Sequence, residues 1–407
     1  MGLAGGNSRE TKGCLMQVRM VAAALALVVT SVATGGTLSP ADASAVRRHQ
    51  GIASVAVSQK NGRQWATWYA SPTPGEDKNT YQVLATCAAG DRKWREVLVY
   101  DPDGPGPERA FDGQVWVAPD GRLRWTFTQR TTDGKPFDVT KRYAGHEGYP
   151  ETDRLLMVEL DAENEPTPVD LPTPRIIGKG VMMGKPIVLS DGAWLFPAAH
   201  WGAAPSSVFY ATRDGGRTFS MRGGVTIPEA ARLYDEQVVV ERNDGDLLTF
   251  IRTHWNYPHP LESVSHDGGR TWEAPVKARF ANASARVCLR RLRSGNWLFV
   301  KNGAMDEKCG RKRLMAFLSK DEGRTWSTGL MLDERETSTY PDADETPDGL
   351  IVVCYDRDRF VRQEILLARF TEADLEAGHD VSGRFGRCTI AQAAKEYVSE
   401  KQEERSK

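Results

Sequence analysis

Three near-copies of one short pattern restrict what this chain can fold into: Thr212-Arg-Asp214-Gly-Gly216-Arg-Thr218-Phe219, Ser265-His-Asp267-Gly-Gly269-Arg-Thr271-Trp272 and Ser319-Lys-Asp321-Glu-Gly323-Arg-Thr325-Trp326. The pattern has a physical logic. Its aspartate accepts the N–H groups of a tight turn, its glycine reaches positive φ without a Cβ clash, and its final aromatic buries beside the hairpin that the turn closes. The aspartates lie 53 and 54 residues apart, so each copy marks one β-sheet unit, and a period near 50 is that of propellers and arrays.

A second repeat counts the units. Turn glycines followed by β-branched or aromatic runs recur at Gly62, Gly121, Gly192, Gly245, Gly295 and Gly349. Each reads as the inner hairpin of a four-stranded blade, which makes the chain an all-β, six-bladed propeller. The intervals of 59 and 71 residues between the first three glycines exceed the later 53, 50 and 54. Insertions near residues 71–80 and 130–155 account for the excess, and long loops of this kind line binding faces.

The chain has 407 residues, 40% hydrophobic and 26% charged, with a formal net charge of -1. That composition supports a large core and gives no reason to expect a nucleic-acid partner. The apolar run Val21 to Val32 follows Arg19, precedes the small residues Ala41-Asp42-Ala43, and is too short to span a bilayer comfortably. It reads as a secretory leader over residues 1–43, which implies a secreted or periplasmic protein with no stable membrane insertion once the leader is removed. The propeller is expected over 44–395, followed by a charged tail over 396–407; Asp374 to Ala377 fits a short helix leading out of the last blade. Once Cys14 leaves with the leader, Cys87, Cys288, Cys309, Cys354 and Cys388 remain. Their scattered spacing lacks the pairs of a zinc site, so no metal or other cofactor is expected.

The three repeated turns resemble the Asp boxes of sialidases, and residues 48 to 375 resemble exported bacterial sialidase-like proteins. In Asp235-Glu236 through Arg252 that resemblance becomes specific. The family places a glutamate ahead of a hairpin and an arginine at its far end, sixteen residues apart here; two paired strands bring both to one end of the channel. A structural ion pair is the alternative for these two. Arg311 matches the arginine that clamps a substrate carboxylate, with Arg313 as its rival, and a guanidinium fork suits that task. Tyr340 stands where sialidases carry a nucleophilic tyrosine, the recognised exception among glycosidases. A phenol is a weak nucleophile near neutral pH and needs an adjacent base, a role the resemblance gives to Glu236.

The chain departs from the family at its first blade. Sialidases open with an Arg-Ile-Pro segment whose arginine completes the clamp, and this chain has His49-Gln50-Gly51-Ile52-Ala53-Ser54. The family's general-acid aspartate has its counterpart in Asp77 or in the adjacent Glu76. His49 or Gln50 is expected to contact a substrate hydroxyl, and His254 to share the face of Arg252. Among aromatics at predicted strand ends, Trp68, Tyr69, Trp201, Trp255 and Tyr257 are candidates for stacking on sugars. The resemblance implies a glycan substrate and an exo-glycosidase acting on a terminal, acidic sugar, with weak activity on ordinary sialosides because one arginine is missing. Two alternatives stand beside it: a propeller lyase acting on a uronate, and a carbohydrate-binding propeller without turnover.

Overall fold

A computed structural model describes residues 39–393, apart from 105, 132–152, 168–170, 202 and 258. The apolar run at Val21 to Val32, most of the expected insertion at 130–155 and the charged tail lie outside the described residues. The chain first forms α1 (Pro40–Ala45), whose Ser39 side chain accepts the Asp42 N–H at 3.1 Å. Ala43 is fully buried, and its carbonyl accepts the Tyr81 hydroxyl at 2.9 Å. The expected leader boundary at 43/44 therefore falls inside this helix.

Six antiparallel sheets follow in chain order, and together they are a six-bladed β-propeller. Blade I is β1 (His49–Val57), β2 (Gln64–Ser71), β3 (Tyr81–Cys87) and β4 (Arg95–Tyr100); blade II is β5 (Glu108–Val117), β6 (Arg122–Thr131), β7 (Arg154–Asp161) and β8 (Arg175–Lys179). Blade III has a divided first strand, β9 (Val181–Met182) and β10 (Ile187–Val188), followed by β11 (Trp194–Ala199), β12 (Ser207–Thr212) and β13 (Ser220–Val225). Blade IV is β14 (Gln237–Glu241), β15 (Leu247–Ile251), β16 (Leu261–Ser265) and β17 (Val276–Lys277); blade V is β18 (Cys288–Arg291), β19 (Trp297–Asn302), β20 (Lys312–Ser319) and β21 (Leu330–Glu336). Blade VI is β22 (Ser338–Glu345), β23 (Ile351–Arg357), β24 (Glu364–Phe370) and β25 (Gly386–Gln392).

All six turn glycines lie between the first and second strands of their blades, with φ between 71° and 90°. The three Asp boxes close the turns between third and fourth strands of blades III, IV and V. Asp267 accepts the Arg270 and Thr271 N–H groups, both at 2.9 Å, and the Thr271 hydroxyl at 2.7 Å. Asp214 and Asp321 bond Thr218 and Thr325 in the same way. The short helix expected near Asp374 is α2 (Glu372–Ala377), with a capping box between Thr371 and Asp374. It does not lead out of the last blade, because the chain returns after it as the outer strand β25.

The core lies between blades. Trp65, Leu84, Val115 and Trp125 join blades I and II, while Trp116, Met182 and Phe196 join II and III. Further clusters join each later pair, and Ala53, Trp68, Val83, Val352 and Leu367 join VI back to I. The end blades share no strand, so side chains close the ring. Asp342, Asp344 and Asp356 of blade VI accept the N–H groups of Val55 at 2.9 Å, Val57 at 2.9 Å and Ile52 at 2.8 Å along β1. Among the described residues no helix is long and apolar enough to cross a membrane.

Candidate active site

The first strands of blades I, II and VI each carry a bulge near their start, at Gly51/Ser54, Phe111/Gln114 and Thr339/Asp342. Each bulge holds one non-glycine residue at positive φ: Ile52 at 51°, Asp112 at 50° and Tyr340 at 54°. Bulges re-aim a side chain at the expense of pairing, and left-handed backbone at such residues concentrates at functional sites. Asp235, immediately before Glu236 and β14, has φ 51° as well. Four blades thus bend their chains at the same end of the propeller, and the site lies there.

Tyr340 is 3% exposed, and its hydroxyl donates to Glu236 Oε1 at 3.2 Å. Arg252 Nη1 donates to the Tyr340 oxygen at 2.9 Å and lies 2.9 Å from Glu236 Oε1. The sixteen-residue spacing has a simple cause: the β14–β15 ladder runs one step further, with Arg252 N–H donating to the Glu236 carbonyl at 2.7 Å. Glu236 Oε2 is buried and has no hydrogen-bond partner among the described residues. An unsatisfied buried carboxylate oxygen requires an explanation, and a proton acceptor in wait is one.

Three more guanidinium groups approach the Tyr340 ring, those of Arg359 at 4.7 Å, Arg311 at 5.2 Å and Arg286 at 5.7 Å from its centroid. Arg311 is held by the Ser284 carbonyl at 3.0 Å, and Ser284 Oγ accepts from Arg252 at 3.2 Å. Arg313, the rival, instead pairs with Glu307 at 2.6 Å. Arg286 and Arg359 were not singled out in the sequence. Arg359 Nη1 donates to the Tyr69 hydroxyl at 2.8 Å and to Glu76 Oε1 at 3.2 Å, while Tyr69 in turn donates a short bond to Glu76.

Glu76 and Asp77 diverge. The Asp77 carboxylate accepts from Ser71 at 3.2 Å, from the Asn79 N–H at 2.9 Å and from the Thr73 hydroxyl, so it shapes the β2–β3 loop. Of the two acid candidates, Asp77 is thus engaged by its own loop, whereas Glu76 meets Tyr69 and Arg359 beside Tyr340. Burial by itself would raise the Glu76 carboxyl, but Arg359, with His49 and Tyr69, outweighs it and holds the group below its ordinary range. Asp112 shows the opposite balance: burial, reinforced by Glu76, pushes it up to about 7. Two carboxyls displaced in opposite directions are a common mark of acid and base positions.

His49 is buried against Tyr69, their ring centroids 5.8 Å apart, and burial lowers it to about 4, so it is neutral near pH 7. Gln50 donates to the Gln363 carbonyl at 2.5 Å and accepts from Arg47 at 3.2 Å, two bonds that occupy it in the blade VI to blade I junction. His254 Nδ1 accepts the Asn256 N–H at 3.1 Å and its ring lies 4.0 Å from Trp255, a turn-forming placement. Trp68 is core, Trp201 donates to the Tyr234 carbonyl at 2.8 Å, and Trp255 is 52% exposed.

Lys185 sits in the break between β9 and β10 and pairs with Asp342 at 2.8 Å, joining opposite blades across the channel. Arg286 crosses beside it to the Met183 carbonyl at 2.7 Å. These links form a floor beneath Tyr340. On the far side, a cavity of about 1090 Å³ opens among the first-hairpin turns, including Lys60, Asp120 and Arg293. Several of its charged side chains are paired, Lys60 with Glu163 at 2.8 Å and Arg290 with Asp344 at 3.0 Å, and Tyr340 is not among its lining residues.

The fold is a six-bladed propeller with Asp-box hairpins, and it is sialidase-like. The BNR repeat-like domain family matches residues 163–353. At the level of solved structures, the chain is similar to the intramolecular trans-sialidase of Ruminococcus gnavus, at 16% identity and TM-score 0.61, covering 84% of this chain and 98% of that one. It is also similar to the leech intramolecular trans-sialidase, at 14% identity and TM-score 0.61 over 82% and 69% of the two chains. A protein of unknown function from Dyadobacter fermentans aligns at 17% identity and TM-score 0.59 over 76% and 91%. These likenesses establish the fold. No curated protein sequence matches the chain.

Proposed function

We propose that this protein is a sialidase-like exo-glycosidase that hydrolyses a terminal acidic sugar from a glycan. The observation that carries the proposal is the Tyr340 hydroxyl, held between Glu236 and Arg252 in a pocket of four guanidinium groups. Such a pocket favours an anionic group, and a neutral phenol approaches a carboxylate-bearing anomeric carbon with less repulsion than a carboxylate would. Tyr340 Oη attacks that carbon while Glu236 takes the phenol proton, and Glu76, once protonated, gives its proton to the departing oxygen. Water then attacks the glycosyl-tyrosine, Glu76 takes the water proton, and Glu236 returns its proton to Tyr340, so configuration is retained. The leader-like N terminus supports action outside the cytoplasm.

The test is product analysis with aryl glycosides of N-acetylneuraminic acid and glucuronic acid and with uronate-containing glycans. Release of the free reducing sugar supports the proposal. An unsaturated product absorbing in the ultraviolet would instead identify a lyase, and binding without any product a carbohydrate-binding propeller.

A further inference from the structure

Gly51 stands in the first-blade segment that lacks an arginine, and the volume beside it is occupied. A Cβ at this position would lie 2.1 Å from Arg359 Cδ and 2.8 Å from Cγ. The stem of a blade VI arginine thus fills the space that a blade I side chain would need. Its head reaches three acceptors, Tyr69 Oη at 2.8 Å, Glu76 Oε1 at 3.2 Å and Asp356 Oδ2 at 3.5 Å, while remaining 4.7 Å from the Tyr340 ring. One guanidinium therefore borders both the tyrosine and the carboxyl nearest to a leaving group. At 3.2 Å it neutralises Glu76, and an ionised Glu76 has no proton to give.

We infer that Arg359 couples the binding of an acidic sugar to the loading of Glu76 with a proton: the sugar carboxylate draws on the guanidinium that neutralises Glu76, and Glu76 takes one proton from solvent. That proton then passes to the leaving oxygen. The inference rests on the acidic-sugar reading above. Arg359 is the first influence holding Glu76 down, so sharing it with a ligand lets burial prevail. The other groups facing Glu76 are His49 and Tyr69 of blade I, Arg109 and Asp112 of blade II and Tyr234 ahead of blade IV, whose phenol burial keeps protonated. Burial keeps Tyr69 protonated, and Arg109, lowered to about 10, stays cationic near neutrality. Near pH 5.5, Asp112 already carries its proton and His49 has lost its own; besides Glu76, the buried Asp356 carboxyl, raised by burial and held by Arg359, is able to respond, and loss of uptake in Glu76→Gln assigns the proton to Glu76.

Calorimetric titration of the intact protein near pH 5.5, in two buffers of different ionisation enthalpy, measures proton uptake directly. N-acetylneuraminic acid, glucuronic acid and their methyl esters are the probes. The wild type is expected to take up close to one proton with an acid and none with its ester. Glu76→Gln should still bind the acid without uptake. Arg359→Ala should bind it tenfold to over a hundredfold more weakly, the loss of about one charge-assisted hydrogen bond. Gly51→Ala, whose new methyl displaces the Arg359 stem, should behave likewise, and circular dichroism verifies the fold of each variant. Unchanged uptake in Glu76→Gln, or equal binding of acid and ester, overturns the coupling. Hydrolysis of an acidic glycoside without proton uptake sinks the coupling and spares the proposed function, whereas failure of acidic sugars both to bind and to react sinks both.

Discussion

Removing the Asp342 side chain should loosen the ring at the blade that also carries Tyr340. Asp342 is 6% exposed and accepts from Lys185 at 2.8 Å, Ser54 Oγ at 2.6 Å and Val55 N–H at 2.9 Å. Breaking a buried ion pair by deleting one partner costs about 3–5 kcal/mol, because the other charge is left behind. The two further bonds, each to a charged acceptor and worth about 1.5–3 kcal/mol, give a loss of the same order. Unfolding entropy of about 2.1 cal/mol/K per residue over roughly 350 residues is about 0.7 kcal/mol/K, so Asp342→Ala should melt about 4–7 °C below wild type. Thermal unfolding followed by circular dichroism and by tryptophan fluorescence measures this, and coincident transitions justify the two-state reading. Lys185→Met in the same background should recover part of the loss, since the abandoned ammonium is then gone and the two changes are not additive. A melting temperature for Asp342→Ala within 1 °C of wild type, or strictly additive effects, would refute closure of the ring by this carboxylate.

Other outcomes follow from the same geometry. Tyr340→Phe and Glu236→Gln should each lower turnover by about 10²–10⁴-fold, the range of a lost acid–base contribution, while melting close to wild type; steady-state kinetics on an aryl glycoside checks this. Asp267→Ala should destabilise by about 1–2 kcal/mol through lost turn bonds, with turnover per folded molecule unchanged. The Asp267 carboxyl, partly desolvated yet held by Thr271, and the Asp321 carboxyl, held by Thr325, are both lowered to about 2. Folded values below the ordinary aspartate value of about 3.9 mean that this stabilisation is complete above about pH 4 and lost as pH falls toward 2. Melting curves across that window should therefore be less pH-dependent in Asp267→Ala than in wild type.

The blade count was legible because turn chemistry is local: a glycine at positive φ followed by a β-branched run declares itself within ten residues. Asp boxes are equally local. Tyr340, Glu236, Arg252 and Arg311 were legible through their order in a resembling family, and hairpin pairing brings the middle two together. Arg359 was not legible, because it enters from a turn after β23 and its position depends on the missing side chain of Gly51, far away in sequence. Nor was Asp112, since a bulge that redirects one residue leaves the alternation of Phe111-Asp112-Gly113-Gln114 looking like any strand. The choice between Glu76 and Asp77 lay in which of two neighbours the loop's Thr73 and Asn79 would engage. The outer strand β25 escaped notice because its residues Gly386 to Gln392 are largely solvent-facing and carry no strong apolar pattern.

The central claim is that Tyr340 attacks the sugar with Glu236 as its base. It is tested most directly by quenching the protein during turnover of an activated acidic aryl glycoside and reading peptide masses. The expected result is a glycosyl adduct on the peptide containing Tyr340, absent in Tyr340→Phe and unable to form at the wild-type rate in Glu236→Gln. An adduct on a different residue, or undiminished release of the free sugar by Tyr340→Phe, would contradict it.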